Sequence, residues 1–96
     1  MTHDYAATRR QVAIGQYNGS AEIIAAVPAR AGGPFYTVTA EKRDSRGRPS
    51  EYVTWDVRTD QPGYYWGHYF PVRDGEDAAD VKREALADMS RRAGIA

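Results

Sequence analysis

Asp56 and His68 are the residues of this sequence best placed for proton transfer. They lie in two aromatic-rich segments that a turn at Pro62 separates. Antiparallel pairing about that turn puts Asp56 opposite His68, with Thr54 nearby on the same face. An aspartate that orients a histidine is the arrangement of a general base. The pattern supplies no nucleophile, oxyanion donor or pocket beside the pair, so we interpret it as structural and predict that the protein is not an enzyme.

Other common catalytic and metal-binding signatures are absent from the sequence. It contains no Gly-rich phosphate loop, no His-Glu-x-x-His pattern and no Gly-x-Ser-x-Gly turn. It also has no cysteine and only two histidines, which cannot by themselves provide the three protein ligands of a catalytic metal site. We therefore predict no metal and no cofactor.

The main local cluster of positive charge is a turn at residues 42–48, whose arginines are Arg43, Arg46 and Arg48. Arginines can contact phosphates while aromatic residues stack on bases, so this turn together with Arg58 and Trp66 indicates a nucleic-acid surface. The alternative is an ordinary solvated turn. Thirteen basic residues balance thirteen acidic ones, so the molecule as a whole has no field that would attract nucleic acid.

Three strands that position these residues are predicted from the alternation of apolar and polar residues. They cover residues 35–43, 51–58 and 64–70, with turn-forming residues at 44–49 and 61–63. A hairpin centred on Arg46-Gly47 pairs Val38 with Trp55 and Thr37 with Asp56. A second hairpin, centred on Pro62, pairs Trp55 with Tyr69, Asp56 with His68 and Arg58 with Trp66.

Two further strands are predicted nearer the N-terminus. Asn18-Gly19 favours a type I′ hairpin between a strand at residues 10–17 and the segment 20–27, because it accommodates two positive φ angles. This hairpin pairs Ile14 with Ile23 and Val12 with Ala25. The alternative for residues 20–27 is a helix of about two turns that ends before Pro28. The alternation favours a strand.

A helix at about residues 75–92 follows the strands. Asp74 is placed as its N-cap and Gly94 as its C-terminal glycine. Its apolar stripe consists of Ala78, Val81, Ala85, Leu86 and Met89. The predicted fold class is therefore α+β, an antiparallel β-meander of about five strands packed on one face by a C-terminal helix. Residues 9–96 form a single domain, and residues 1–8 are predicted to be disordered.

The predicted registers divide the sheet into two faces. We expect the helix to cover the face that carries Tyr36, Val38, Ala40, Val53, Trp55, Val57, Tyr65 and Tyr69. The opposite face is unusually aromatic for a solvated surface, and exposed apolar patches often mark partner sites. The candidate binding residues are Tyr52, Arg58, Tyr64, Trp66, His68 and Phe70 on this face, with Arg43, Arg46 and Arg48 in the basic turn. The alternative is that these aromatics serve the sheet structure alone.

Residues 51–89 run from a strand through a tight turn and Tyr-Tyr-Trp-Gly-His-Tyr-Phe to an Asp- and Ala-rich helix. This order resembles the three-strand-plus-helix DNA-binding domains of plant ethylene-response factors and of tyrosine-integrase N-termini. The resemblance implies DNA recognition by the sheet face through arginine and tryptophan. The positions that match are Arg46, Arg48, Arg58 and Trp66.

Two functions remain open from the sequence. The first is a non-enzymatic binding or accessory protein whose aromatic sheet face contacts a protein partner or a second copy. The second is a small DNA- or RNA-binding module that uses the same face and the basic turn. No signal-peptide segment or membrane-spanning run is present, so we expect a cytoplasmic protein that does not bind membranes. Eleven of the thirteen basic residues are arginine, which indicates a GC-rich bacterial or phage genome.

Overall fold

The computed structural model describes residues 12–94 of the chain. Its elements are β1 (Tyr17–Asn18), β2 (Ala21–Pro28), β3 (Phe35–Arg43), β4 (Pro49–Arg58), β5 (Tyr65–Pro71) and α1 (Ala78–Ala93). Within these residues the strands form one antiparallel sheet in the order β1-β2-β3-β4-β5, and α1 packs against it. The predicted α+β meander with a C-terminal helix is confirmed. The predicted disorder at residues 1–8 concerns residues outside this range.

The hairpin of β3 and β4 follows the sequence prediction. Val38 pairs with Trp55 and Thr37 pairs with Asp56, in a register that the turn at residues 44–48 and a β-bulge next to it set together. The carboxylate of Asp44 accepts the backbone N–H groups of Arg46 and Arg48 at 2.8 and 3.0 Å. These hydrogen bonds from Arg48 and Arg46 lower the pKa of Asp44 below its usual range. A local aspartate turn therefore closes this hairpin, and the adjacent β-bulge between Lys42 and Arg43 completes its register.

The N-terminal hairpin is shorter than predicted and has another register. Strand β1 contains only Tyr17 and Asn18, which pair with Glu22 and Ala21. The turn consequently lies at Gly19-Ser20, and Ile23 bonds to the backbone of residues 15 and 16. The predicted pairing of Ile14 with Ile23 is wrong. Residues 20–27 belong to strand β2, so the strand prediction is confirmed and the helix alternative is wrong.

A β-bulge at Trp66 changes the register between β4 and β5. Thr54 pairs with His68, whereas Asp56 pairs with Tyr65, so one extra residue lies on β5 opposite Trp55. Trp66 has a φ of 52°, in the left-handed region that residues with a side chain rarely adopt. The predicted pairs of Asp56 with His68, Arg58 with Trp66 and Trp55 with Tyr69 are wrong, because the pairing beyond the bulge is shifted by two residues from the prediction and the bulge adds a further residue.

Gly67 beside the bulge lies beneath two aromatic side chains. A Cβ atom there would lie 2.7 Å from Tyr69 Cε1 and 2.9 Å from Trp55 Nε1. We expect Gly67→Ala to lower the free energy of unfolding by about 1–2 kcal/mol through this overpacking. Chemical denaturation of Gly67→Ala, Tyr69→Ala and the double variant provides the check. The double variant should lose less unfolding free energy than the two single variants together. Additive losses would contradict a steric origin.

Helix α1 begins later than predicted because Asp74 and Gly75 form a turn of their own. Asp77 is the N-cap, and its carboxylate accepts the N–H of Ala79 at 2.9 Å. The C-terminal prediction is confirmed, since Gly94 has a φ of 81° and its N–H bonds to the carbonyl of Arg91.

Both faces of the sheet have a buried cluster. The apolar face carries Val38, Ala40, Val53, Trp55 and Val57, on which Val12, Ala26, Tyr36 and Tyr64 also pack. The helix face carries Thr37, Thr39, Tyr52, Thr54, Asp56, His68 and Phe70. Val81 and Ala85 of α1 pack on Tyr52 of the helix face, with Phe70 at the edge of the cluster. The prediction that the helix covers the apolar face is therefore wrong.

In the range 12–94, the chain has no helix that is long and apolar enough to cross a membrane.

Candidate functional site

A pocket lies at the end of the sheet where β3 begins, β4 ends and β5 begins. Its volume is about 560 Å³. The side chains that define its chemistry are Phe35, Asp56, Arg58, Tyr65, Trp66 and Arg92. Pockets of this size and mixed composition commonly hold a small ligand or side chains of a partner. We call it the open-end pocket.

Three exposed aromatic residues form its rim. Phe35 is 41% exposed, Tyr65 is 38% exposed and Trp66 is 76% exposed. The rings of Tyr65 and Trp66 lie with their centroids 6.1 Å apart, and the Tyr65 hydroxyl donates to the carbonyl of Pro62 at 2.7 Å. The bulge puts Tyr65 opposite Asp56, on the helix face, and turns Trp66 into solvent. The bulge therefore places two of the three rim residues, Tyr65 and Trp66.

Arg58 is held in place at one side of the pocket. Its Nε and Nη2 atoms donate to the two carboxylate oxygens of Asp60 at 2.9 and 2.7 Å. Its guanidinium carbon lies 4.7 Å from the centroid of the Phe35 ring, which is a cation–π contact. A bidentate ion pair and a stacking contact together give this arginine a defined orientation.

Arg92 of helix α1 forms the floor of the pocket. Only 12% of its side chain is exposed, and its Nη2 atom lies 3.2 Å from Asp56 Oδ2. Its Nη1 atom donates to both the backbone carbonyl and the hydroxyl of Thr54 at 3.0 Å. Thr37 donates its hydroxyl to the other oxygen of Asp56 at 3.3 Å. The last turn of the helix thus contacts the sheet through the largely buried side chain of Arg92.

The polar contacts continue from Arg92 to Asp88 and His68. The Thr54 hydroxyl donates to Asp88 Oδ2 at 2.6 Å, and His68 Nδ1 lies 2.9 Å from the same oxygen. Burial alone would raise the pKa of Asp88, but hydrogen bonds from Thr54 and His68 and the charge of Arg92 lower it below its usual range. Asp88 is therefore ionised at neutral pH. The carboxylate beside His68 is Asp88, whereas the sequence had predicted Asp56.

This arrangement can orient a histidine, but it is not a metal site. Across residues 12–94, no three histidine, aspartate or glutamate side chains are grouped so that they could hold a metal ion. The His68–Asp88 pair also bonds the sheet to the helix through Thr54. The polar row, formed by His68, Asp88, Thr54 and Arg92, therefore joins the sheet to the helix.

The predicted site residues occupy different parts of the molecule. Arg58 and Trp66 lie together at the open-end pocket. Tyr52 is buried beneath helix α1, with Phe70 beside it, and Tyr64 lies on the apolar face with its ring centroid 5.1 Å from that of Trp55. His68 lies on the helix face against Asp88.

The three arginines of the basic turn lie at the far end of the same hairpin. Arg43 pairs with Glu41 at 2.6 Å, and Arg46 and Arg48 are exposed. About eight strand residues separate this turn from Arg58, which corresponds to roughly 25 Å. The basic turn and the aromatic rim therefore form two separate surfaces.

Of the six residues that define the chemistry of the pocket, the sequence prediction missed four as site residues, namely Phe35, Asp56, Tyr65 and Arg92. Strand alternation puts Phe35 and Asp56 on the face opposite to the one that was expected to meet the helix, and Tyr65 had been placed on the face expected to meet it. Arg92 had entered the sequence analysis only as the last residue of the predicted helix. Its neighbours depend on which face the helix covers, so no local signal in the sequence could have assigned it to the pocket.

No protein-family model matches this chain, and neither the curated proteins nor the solved structures give a match. The resemblance of residues 51–89 to three-strand DNA-binding domains therefore remains a prediction. A function for this chain must be argued from the chemistry of its own surface.

Proposed function

We propose that this protein is a non-enzymatic binding protein and that the open-end pocket receives side chains of a partner protein. The observation that carries the proposal is Trp66. This residue is 76% exposed, has a φ of 52° and stands at the rim of a pocket with two more exposed aromatics. Strained backbone of this kind costs folding free energy, so it persists mainly where function requires it. It is therefore concentrated at functional sites.

The composition of the pocket supports a protein partner. Tryptophan, tyrosine and arginine are the residues that contribute most to the binding free energy at protein interfaces. Here Tyr65 and Trp66 accompany Arg58 and Arg92 around one concavity. Arg58 and Arg92 are already oriented by ion pairs, so binding would cost little further side-chain entropy.

The charges of the pocket favour protein over nucleic acid. Arg58 is paired with Asp60, and Arg92 is paired with Asp56. Phosphate binding depends on cations that can neutralise the backbone, and carboxylates beside these arginines oppose it. A protein partner offers neutral and apolar side chains that suit a pocket with balanced charge.

Nucleic-acid binding remains a second candidate because of the basic turn. The side chains of Arg46 and Arg48 are exposed, and neither forms an ion pair within the described part of the chain. Two such arginines can contact neighbouring phosphates. This candidate now rests on the turn, since the aromatic rim lies at the opposite end of the hairpin.

A peptide selection tests the pocket directly. Peptides selected from a random displayed library against the whole protein should bind Trp66→Ala at least tenfold more weakly than the wild type, as expected for loss of a central anchor. Tyr69→Ala is the matched control, because Tyr69 is also an exposed aromatic of β5 but is not part of the pocket. Titration by isothermal calorimetry gives the dissociation constants.

Fluorescence adds a second readout of the same binding. Trp55 is only 6% exposed, so quenching by acrylamide should report mainly on Trp66, and a bound peptide should protect it. Selected peptides that bind wild type and Trp66→Ala equally would contradict the proposal. Binding of a 20-nucleotide single strand that weakens steeply with salt and is lost in Arg46→Glu/Arg48→Glu would instead support the nucleic-acid candidate.

A further inference from the structure

Strand β5 has an outer edge that pairs with no other strand in the described range. Its inner edge pairs with β4, and the N–H of Val72 donates to the carbonyl of Ser50 at 2.9 Å. In an antiparallel pair, the residues that bond to the neighbouring strand alternate with residues that point away from it. His68 is four residues before Val72, so it faces β4, while Gly67 and Tyr69 direct their N–H and C=O groups outward.

Two features limit the length of this outward edge. Pro71 also falls at an outward position, where its missing N–H costs no bond to β4, as is usual for proline in an edge strand. At the other end, the bulge at Trp66 interrupts the regular backbone. The free edge is therefore short, and its complete hydrogen-bonding residues are Gly67 and Tyr69.

We propose that this edge pairs with the same edge of a second copy of the chain, antiparallel and about a two-fold axis through His68. In that register Gly67 of one copy lies opposite Tyr69 of the other, and both pairs exchange two backbone hydrogen bonds. The edge is self-complementary, because each copy supplies the donors and acceptors that the other lacks. Residues 65–70 contain no Lys, Arg, Asp or Glu, so the pairing brings no such like charges together.

The dimer should be weak. Tyr69 is 56% exposed and the His68 side chain is 55% exposed, and these are the side chains at the centre of the contact. Two such edges bury far less than the roughly 1,200 Å² of a standard stable interface. We expect the dimer to be populated only above about 100 µM, in the range of weak, transient contacts.

Single-cysteine variants test the register, because the chain contains no natural cysteine. In the proposed dimer, the two His68 residues form a non-hydrogen-bonded pair with Cα atoms about 4.5 Å apart, a separation that a disulfide spans. The two Trp66 residues lie about 13 Å apart along the strands, which is too far. Under mild oxidation we expect His68→Cys to form a disulfide-linked dimer at least tenfold faster than Trp66→Cys.

The control variant, Trp66→Cys, is the one that chance collisions would favour. Trp66 is more exposed than His68, so random collisions would cross-link Trp66→Cys at least as fast. Light scattering on the wild type, from 10 µM to 1 mM, should show the mean mass rising from monomer toward dimer, independently of any substitution. A strict monomer at 1 mM, or equal cross-linking rates, would overturn the proposal. Neither result affects the peptide test of the open-end pocket, which lies beside this edge and does not require pairing.

Discussion

Replacing Thr54 with valine should lower the free energy of unfolding by about 2 kcal/mol, whereas the same change at Thr39 should leave it unchanged or raise it by about 1 kcal/mol. The two threonines are direct cross-strand partners on the helix face, and both are fully buried. They differ in their hydroxyl groups. Thr54 donates to Asp88 and accepts from Arg92, while Thr39 Oγ1 has no hydrogen-bond partner among residues 12–94.

The difference in stability follows from which groups lose a hydrogen-bond partner when each hydroxyl is removed. Valine at position 54 removes a hydrogen bond to the buried Asp88 carboxylate and an acceptor of Arg92, so two charged groups lose a partner. Valine at position 39 removes only a polar atom that is already buried without compensation. The two methyl-bearing side chains are similar in shape, so packing changes little at either site.

Urea denaturation of the two single variants and the double variant measures both effects. The two variants bury almost the same side chain at adjacent positions, which makes each the control for the other. Equal losses of unfolding free energy at both positions would mean that the packing of valine determines the loss. The hydrogen-bond partners of the hydroxyl groups would then contribute nothing to it. In that case the polar row between the helix and the sheet would contribute little to the fold.

The strands of the central hairpin were predictable because local chemistry determines them. Alternation over residues 35–43 and 51–58 defines the strands, and Asp44 binds the N–H groups of its own turn. The helix end was predictable for the same reason, since only glycine adopts the conformation of Gly94 at little cost. Each of these signals acts within a few residues of the feature that it forms.

The covered face could not be read from hydrophobicity. The sequence analysis assigned the more apolar face to the helix, as burial of apolar area would suggest. Asp88 and Arg92 lie on the face of the helix that meets the sheet, and they bond to Thr54 and Asp56. The helix instead packs on the more polar face of the sheet, where polar side chains of the two elements bond to each other. A hydrophobic pattern does not represent this complementarity.

Only two of the six residues that define the chemistry of the open-end pocket were predicted, for a related reason. Arg58 and Trp66 were identified by their residue types, but the bulge at Trp66 moves Tyr65 to the other face of the sheet. A single extra residue reverses the direction of every side chain beyond it. Turn composition at residues 61–63 reveals neither this bulge nor the two-residue shift of the pairs beyond it, such as Val53 with Tyr69, so the predicted register was wrong along the whole of β5.

Raising the pH from 10 to 12 should lower the free energy of unfolding through Tyr52 by about 2 kcal/mol. Burial beneath the helix raises the pKa of Tyr52 to about 12, and its hydrogen bond to Glu41 adds to the effect. Below pH 10 the phenol is protonated in both the folded and the unfolded chain. Between pH 10 and 12 the unfolded chain loses this proton while the folded chain keeps it, so ionisation stabilises the unfolded state.

The contact that opposes ionisation is a buried carboxylate. The Tyr52 hydroxyl donates to Glu41 Oε2 at 2.8 Å, and Arg43 lies 2.6 Å from the other oxygen of Glu41. Loss of the phenolic proton would put two negative oxygens against each other in a site where only 2% of Tyr52 is exposed. The loss of stability above pH 10 is thus the cost of placing a second charge beside Glu41.

Denaturation of the wild type and of Tyr52→Phe at pH 8, 10, 11 and 12 isolates this residue. Tyr52→Phe should be less stable at pH 8, because Glu41 loses a donor, but it should lose less stability as the pH rises. Tyr17→Phe is the control, since Tyr17 is largely exposed and its removal should leave the alkaline loss intact. If wild type and Tyr52→Phe lose stability equally between pH 10 and 12, the hydroxyl of Tyr52 is not the group that titrates against the fold.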